Sequence, residues 1–280
     1  MRQIDSQTIT ETVEKTFMTI THLPGDDLVA ALEKARREEE SPTGRDVLGQ
    51  LLENARIGRE EQTPICQDTG SSVVFAEIGQ DVRILGETPS GAIEKGVSRG
   101  YARGYLRASI VDDPLRRRNT TNNTPPFIHT EIVPGDRIKL TMMAKGSGCE
   151  NMSRFKMLTP AQGRQGVVDF VINTVLTGGG RPCPPLIVGV GIGGTFDMTT
   201  QIAKKSLFRP LGQHHPAPHI KELEEELLGE INDLGLGPQG WGGRTTALAV
   251  HVETYPCHIA SLPVAVNIEC HSHRVKTVKI

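Results

Sequence analysis

Apolar residues recur with helical spacing at the start of the chain and in strand-length runs later. Ile9, Val13, Phe17 and Ile20 stand at i, i+4, i+8 and i+11, one stripe down a helix. Pro24-Gly25-Asp26-Asp27 interrupts that pattern and offers a cap to a second helix carrying Leu28, Leu32 and Ala35. Ser41-Pro42-Thr43 opens a third with Val47, Leu48, Leu51, Leu52 and Ala55, so residues 1–60 read as a helical segment. Ser72–Ile78 then reads as a strand. About Ser90–Arg107 reads as a helix with Lys95, Arg99, Arg103 and Arg107 spaced by four, the first three expected on a solvated face. Strands follow at Phe127–Val133 and Ile138–Ala144, joined by the turn Pro134-Gly135-Asp136. A helix around Val167–Leu176 ends at Gly178-Gly179-Gly180, and Leu186–Val190 is a buried strand. Helices at Thr195–Leu207 and Ile220–Leu234 and strands at Thr246–Glu253 and Ile259–Ile268 complete the pattern. This interleaving predicts a mixed α/β (α+β) fold, one domain over residues 1–280. The N-terminal helical segment is expected to pack on a mixed sheet flanked by helices.

Composition narrows the picture. Aromatic residues are only 4% of the 280, so the core must be built from Val, Ile, Leu and Ala. A net charge of −2 argues against a nucleic-acid partner. No run approaches the roughly 18 apolar residues of a membrane span. Met1-Arg2-Gln3-Ile4-Asp5 leads into polar residues rather than the apolar region of a signal peptide. Five cysteines at wide, irregular spacing do not make a disulfide framework, so a reducing, cytoplasmic location is expected.

Three of those cysteines lie in polar, Gly- or Pro-rich contexts, not in the apolar runs where a packed thiol belongs. They are Cys66 in Pro64-Ile65-Cys66-Gln67-Asp68-Thr69-Gly70, Cys183 in Arg181-Pro182-Cys183-Pro184-Pro185, and Cys270 in Asn267-Ile268-Glu269-Cys270-His271-Ser272-His273. Three thiolates from distant segments can hold an iron–sulfur cluster and leave one iron without a protein ligand, the vacancy that a Lewis acid needs. Asp68, two residues from a thiolate, is an awkward anion unless a metal centre compensates for it. The alternative is a turn in which Asp68 and Thr69 bond the backbone through short side chains.

Other patterns compete. Cys257-His258 with Cys270-His271-Ser272-His273 supplies zinc-type ligands, without the CxxC knuckle of structural zinc sites. Gly189-Val190-Gly191-Ile192-Gly193-Gly194 matches a dinucleotide fingerprint, but the acidic residue expected about 20 positions on is missing. Its place after Cys183 suggests instead that the glycines let backbone approach a site there. Lys145-Gly146-Ser147-Gly148-Cys149-Glu150-Asn151 is half a phosphate loop, and its amides suit a carboxylate as well.

Taken together these motifs resemble the α subunit, or N-terminal domain, of the iron–sulfur class I fumarate hydratase and L-tartrate dehydratase family. The resemblance runs from about Gln62 to Arg274. Besides the segments above it includes Gly104-Tyr105-Leu106-Arg107-Ala108-Ser109 with Asp112-Asp113-Pro114, Asn122-Asn123-Thr124-Pro125, and Gly242-Gly243-Arg244-Thr245-Thr246-Ala247. It implies that Cys66, Cys183 and Cys270 ligate a [4Fe–4S] cluster. It further implies that Gln67, Arg107, Gly146 and Gly148 contact a dicarboxylate substrate, and that Asp68 and His258 act near the cluster. The implied reaction is hydration of fumarate to L-malate, with L-tartrate dehydration as the close alternative and a non-catalytic iron–sulfur subunit as a further one. Because the chain reaches Ile280 soon after Cys270, a separate β subunit is expected to complete the active site, in an αβ hetero-oligomer such as a dimer of heterodimers. Cys149 departs from the family, which more often has a small or hydroxyl residue there.

Overall fold

A computed structural model describes all 280 residues. In chain order the elements are β1 (Arg2–Asp5), α1 (Ser6–His22), α2 (Asp26–Glu38), α3 (Pro42–Glu61), β2 (Ser71–Gly79) and β3 (Val82–Leu85). Then come α4 (Pro89–Arg103), β4 (Phe127–Val133), β5 (Ile138–Lys145), the one-turn α5 (Ser147–Glu150), β6 (Arg154–Leu158) and α6 (Gly163–Gly178). The chain closes with β7 (Leu186–Gly193), α7 (Phe196–Ser206), α8 (Pro218–Asp233), β8 (Ala247–Tyr255), β9 (Leu262–Glu269) and β10 (Val275–Lys279). The mixed α/β class is the one that the interleaving predicts.

These elements group into two compact units. One is Met1–Gly25, Ala55–Ser147 and Arg274–Ile280, and the other is Asp26–Asn54 and Gly148–His273. Residues 1–60 hold the three expected helices, shared between the two units. A strand precedes α1, α1 belongs to the first unit, and α2 with the start of α3 belongs to the second.

In the first unit Asp5 caps α1, its carboxylate accepting from the Gln7 amide at 2.8 Å. The stripe Ile9, Val13, Phe17 and Ile20 is at most 3% exposed and packs with Ile93, Val97 and Tyr101 of α4. The main sheet has the order β10-β5-β2-β4, with β2 antiparallel to β5 and parallel to β4. The Pro134-Gly135-Asp136 turn thus does not close a hairpin, because β2 lies between the two strands that it joins. Burial explains the order. Val73 to Ala76 of β2 are buried in an unbroken run suited to a central strand, whereas β4 exposes Phe127 and Ile132 and sits at the edge. Helix α4 stops at Arg103 rather than Arg107, where Gly104 caps it and Tyr105 turns left-handed. Lys95 pairs with Glu87 at 2.6 Å and Arg103 with Glu14 at 2.5 Å, a surface role for the α4 cations.

The second unit is built on the sheet β6-β9-β7-β8, with β7 parallel to β8 and antiparallel to β9. Val188 and Val190 join the core formed with α6 and α8. The alternate positions, Gly189 and Gly191, face α7: a Cβ added there would lie 2.3 Å from the carbonyl oxygens of Ala203 and Thr199 respectively. The Gly189–Gly194 run is therefore not a phosphate loop, nor does it open backbone toward Cys183. Gly189 and Gly191 sit inside β7 so that a helix can lie against it, and Gly193, which ends the strand, turns the chain into α7 together with Gly194.

Candidate functional site

Cys66 lies half-buried in the turn between α3 and β2. Asp68 organises that turn: Oδ1 accepts from the Gly70 amide at 3.0 Å and Oδ2 from the Ser147 amide at 2.9 Å. Arg274 Nη1 donates to the Asp68 carbonyl at 2.6 Å. Thr69 Oγ1 donates to the Arg107 carbonyl at 3.0 Å, and the Tyr101 hydroxyl donates to the carbonyls of Thr69 at 2.8 Å and Gly70 at 3.0 Å. Asn123 Nδ2 donates to the Gly70 carbonyl at 3.1 Å while its Oδ1 accepts from the Ser109 amide at 2.8 Å. Gly70 has φ 79°, and a Cβ there would meet the Lys145 carbonyl oxygen at 2.7 Å. Two cationic side chains, Lys145 and Arg274, are each only 2% exposed.

The first unit thus joins Asp68-Thr69-Gly70, the Arg107 carbonyl and the Ser147 amide into one hydrogen-bonded framework beside Cys66 and Gln67. The side chains of Gln67 and Arg107 stay exposed. Asp68 meets the structural reading of its motif, and its carboxylate still has lone pairs beyond the two that the amides use.

In the second unit Cys183 precedes β7 and Cys270 follows β9. Because Ile187 pairs with Glu269 across that antiparallel ladder, both cysteines emerge at the same end of the sheet. Cys183 has φ 57°, a left-handed backbone that a non-glycine residue keeps only when its surroundings impose it. With its proton on Nδ1, His271 donates to the Cys183 carbonyl at 3.1 Å, and Gln239 Nε2 donates to the Pro184 carbonyl at 2.7 Å. Cys270 is buried with its sulfur 3.0 Å from Ser272 Oγ. Gly148 is exposed, and a Cβ there would meet the Arg181 carbonyl oxygen at an ordinary 3.5 Å. Cys270 borders the apolar core and Cys183 packs against it, but both are held in turns at the sheet end rather than inside its strands. Taken unit by unit, Cys66 in the first and Cys183 with Cys270 in the second have the donor chemistry of iron–sulfur ligands.

His258 stands apart from the two cysteines of its own unit. The expectation places it near Cys270, but β9 begins only at Leu262 and runs roughly 23 Å, at about 3.3 Å per residue, before Cys270. Gly193 pairs with Tyr255, so the exposed loop holding His258 leaves the opposite end of the sheet. An extended strand separates residues that are close in sequence. The same strand separates Cys257 from Cys270 and removes the zinc reading. The Cys257 thiol donates to the Ser261 carbonyl at 3.4 Å within its own loop.

Sequence reasoning missed a cluster beside Cys270. Cys149, Glu269 and Cys270 place two sulfurs and a carboxylate oxygen within 4.8 Å of one another, all buried. Its signal is the period-two polar stripe on β9: Val264, Val266 and Ile268 enter the core, while Asn267 and Glu269 alternate with them. Asn267 Nδ2 donates to Glu150 at 3.2 Å, and Lys204 pairs with the other oxygen of that carboxylate at 2.5 Å. Volume alone points elsewhere. A cavity of about 530 Å³ in the first unit, walled by Glu14, Met18, His22, Arg59 and Arg103, contains none of the predicted site residues.

Comparisons with known proteins give a consistent answer. A family model described as fumarate hydratase (fumerase) matches residues 10–279. A Methanocaldococcus jannaschii protein provisionally named L(+)-tartrate dehydratase subunit alpha is 42% identical over 272 residues, covering 92% of this chain and 93% of that one. The L(+)-tartrate dehydratase subunit alpha of Escherichia coli (strain UTI89) is 33% identical over 268 residues, covering 95% of this chain and 88% of its own. Its counterpart from Shigella sonnei is 32% identical over the same length.

Proposed function

The chain belongs to the fumarate hydratase family of hydro-lyases, and from that premise we propose that it is the α subunit of a two-subunit L-tartrate dehydratase. The observation that carries this reading is near full-length similarity to tartrate dehydratase α subunits, at 42% and 33% identity. It moves the substrate away from fumarate and malate, the first expectation from sequence. In this reading Cys66, Cys183 and Cys270 hold a [4Fe–4S] cluster, and a β subunit supplies the rest of the active site.

When bound, the cluster supplies a Lewis acid for the departing hydroxyl. The other tasks fall to the chain's own groups. The guanidinium of Arg107 offers a fork of donors to one substrate carboxylate. Gln67 and the amides at Gly146 and Gly148 bind and orient the remaining polar groups. Asp68, held by the Gly70 and Ser147 amides, keeps a fixed carboxylate for proton transfer at the carbon beside the leaving hydroxyl.

The test is anaerobic co-production with the companion β subunit, followed by assays of L-tartrate dehydration to a 2-oxo dicarboxylate and of fumarate hydration. Tartrate is expected to have the larger kcat/KM. Fumarate turnover without tartrate turnover would restore the fumarate reading, and full activity in iron-free protein would overturn the cofactor. Asp68→Asn keeps the Gly70 contact and should cut kcat by about 100-fold or more, whereas an unchanged kcat would leave Asp68 with its structural role alone.

A further inference from the structure

The buried trio of Cys149, Glu269 and Cys270 adds to one proposed cluster ligand two donor groups, on Cys149 and Glu269, that a three-cysteine cluster does not use. We infer that these residues form a mononuclear site for a thiophilic divalent cation, Zn²⁺ or Fe²⁺, an alternative to the cluster at Cys270. Three features support it, all within the second unit.

The first is proximity. The two sulfurs and one carboxylate oxygen lie within 4.8 Å of one another, with Cys270 Sγ 3.9 Å from Glu269 Oε1. Around a tetrahedral zinc, with sulfur at about 2.3 Å and oxygen at about 2.0–2.2 Å, the same atoms sit roughly 3.5–3.8 Å apart. The trio therefore needs to close by about 1.3 Å at most.

The second is burial. Cys149, Cys270 and Glu269 are 3%, 7% and 0% exposed. Burial keeps water from competing for these donor atoms, and a dication balances the charge that thiolate and carboxylate ligands carry once they coordinate it. The third is rigidity. Glu269 closes β9, Cys270 begins the following turn, and Cys149 in α5 has its sulfur 3.9 Å from the Pro182 carbonyl oxygen. A set of two thiolates and a carboxylate is borderline-soft, matching zinc or ferrous iron over magnesium or calcium. Three protein ligands leave one coordination position open.

Only Cys270 is shared with the proposed cluster ligands, so a mononuclear ion and the cluster exclude one another. The chain then has two metal states, and Cys149 decides how strongly the mononuclear ion competes. This inference stands on the trio alone and survives if the cluster reading fails.

The full-length chain, purified anaerobically and stripped of metal, is titrated with Co²⁺. One equivalent is expected to bind, with a thiolate-to-cobalt charge-transfer band and the visible bands of a tetrahedral ion, and Zn²⁺ should displace it. Cys149→Ser should weaken Co²⁺ binding by more than about 100-fold, since even outer-shell changes cost about 10–100-fold. Glu269→Gln should weaken it at least about 10-fold, and Glu269→Asp serves if the glutamine variant does not fold. Cys66→Ser and Cys183→Ser should bind Co²⁺ as the parent does. Loss of the bands in those two variants would assign the ion to the cluster thiols and overturn the inference, as would the absence of charge-transfer bands in the parent. As a second readout, Zn²⁺ loaded first should slow cluster assembly in the parent and not in Cys149→Ser. Equal inhibition in both chains would overturn it too.

Discussion

Replacing Glu39 by glutamine tests whether one buried carboxylate fastens the Gly242–Thr246 segment to the start of α3. Glu39 is 3% exposed. Its Oε1 accepts from the amides of Ser41 at 3.0 Å and Arg244 at 2.9 Å, and Oε2 accepts from the Thr245 amide at 2.7 Å. Burial alone would raise its pKa. The three amides and the Thr245 hydroxyl outweigh that effect and hold it down from 4.5 to about 2. At about 1.4 kcal/mol per pH unit, this gap ties about 3 kcal/mol of stability to the ionised form. The folded pKa lies below the unfolded one, so the contribution is complete above pH 4.5 and fades as pH falls toward 2. Glutamine turns an NH₂ group toward a backbone amide that needs an acceptor, at a cost of about 2–4 kcal/mol near neutral pH. Urea unfolding followed by circular dichroism, repeated from neutral pH to about pH 3, compares the two chains. The stability gap should shrink as pH falls below 4.5. A gap that stays constant to about pH 3, or one below about 0.5 kcal/mol at neutral pH, would refute the reasoning.

Tyr101→Phe removes two hydrogen bonds from the Cys66 turn. Burial pushes the phenol up to about 12, so it is a protonated donor throughout, and its loss should cost about 1–3 kcal/mol by thermal denaturation, with an unchanged Tm counting against the anchoring role. Gly70→Ala should destabilise by more than about 1 kcal/mol, because φ is 79° and the new methyl meets the Lys145 carbonyl oxygen at 2.7 Å; parent-like stability in urea would contradict both points. His251 is held down to about 4, first by burial and then by the nearby Arg209 guanidinium. It therefore folds neutral, and stability should fall by up to about 3 kcal/mol as pH drops from 6.5 toward 4, with His251→Gln flattening that part of the profile and an identical slope in both chains excluding the assignment.

Local pattern carried much of this molecule. Helical stripes in residues 9–20 and 28–35, strand runs at 72–78 and 186–190, and cysteines set among glycines and prolines are all legible in the chain, because each depends on near neighbours. Strand order is not such a property. β2 lies between β4 and β5 because its buried residues demand two neighbours, and the short strands β1, β3, β6 and β10 are defined by pairing rather than by their own periodicity. The Gly189–Gly194 run reads as a ligand loop until α7 is seen lying against β7. His258 and Cys270, twelve residues apart, are held at opposite ends of a sheet, whereas Cys149 and Cys270, far apart in the chain, meet. Turn and helix preferences are written in a few consecutive side chains. Which distant segments come together depends on how the whole chain buries its apolar surface while pairing its backbone.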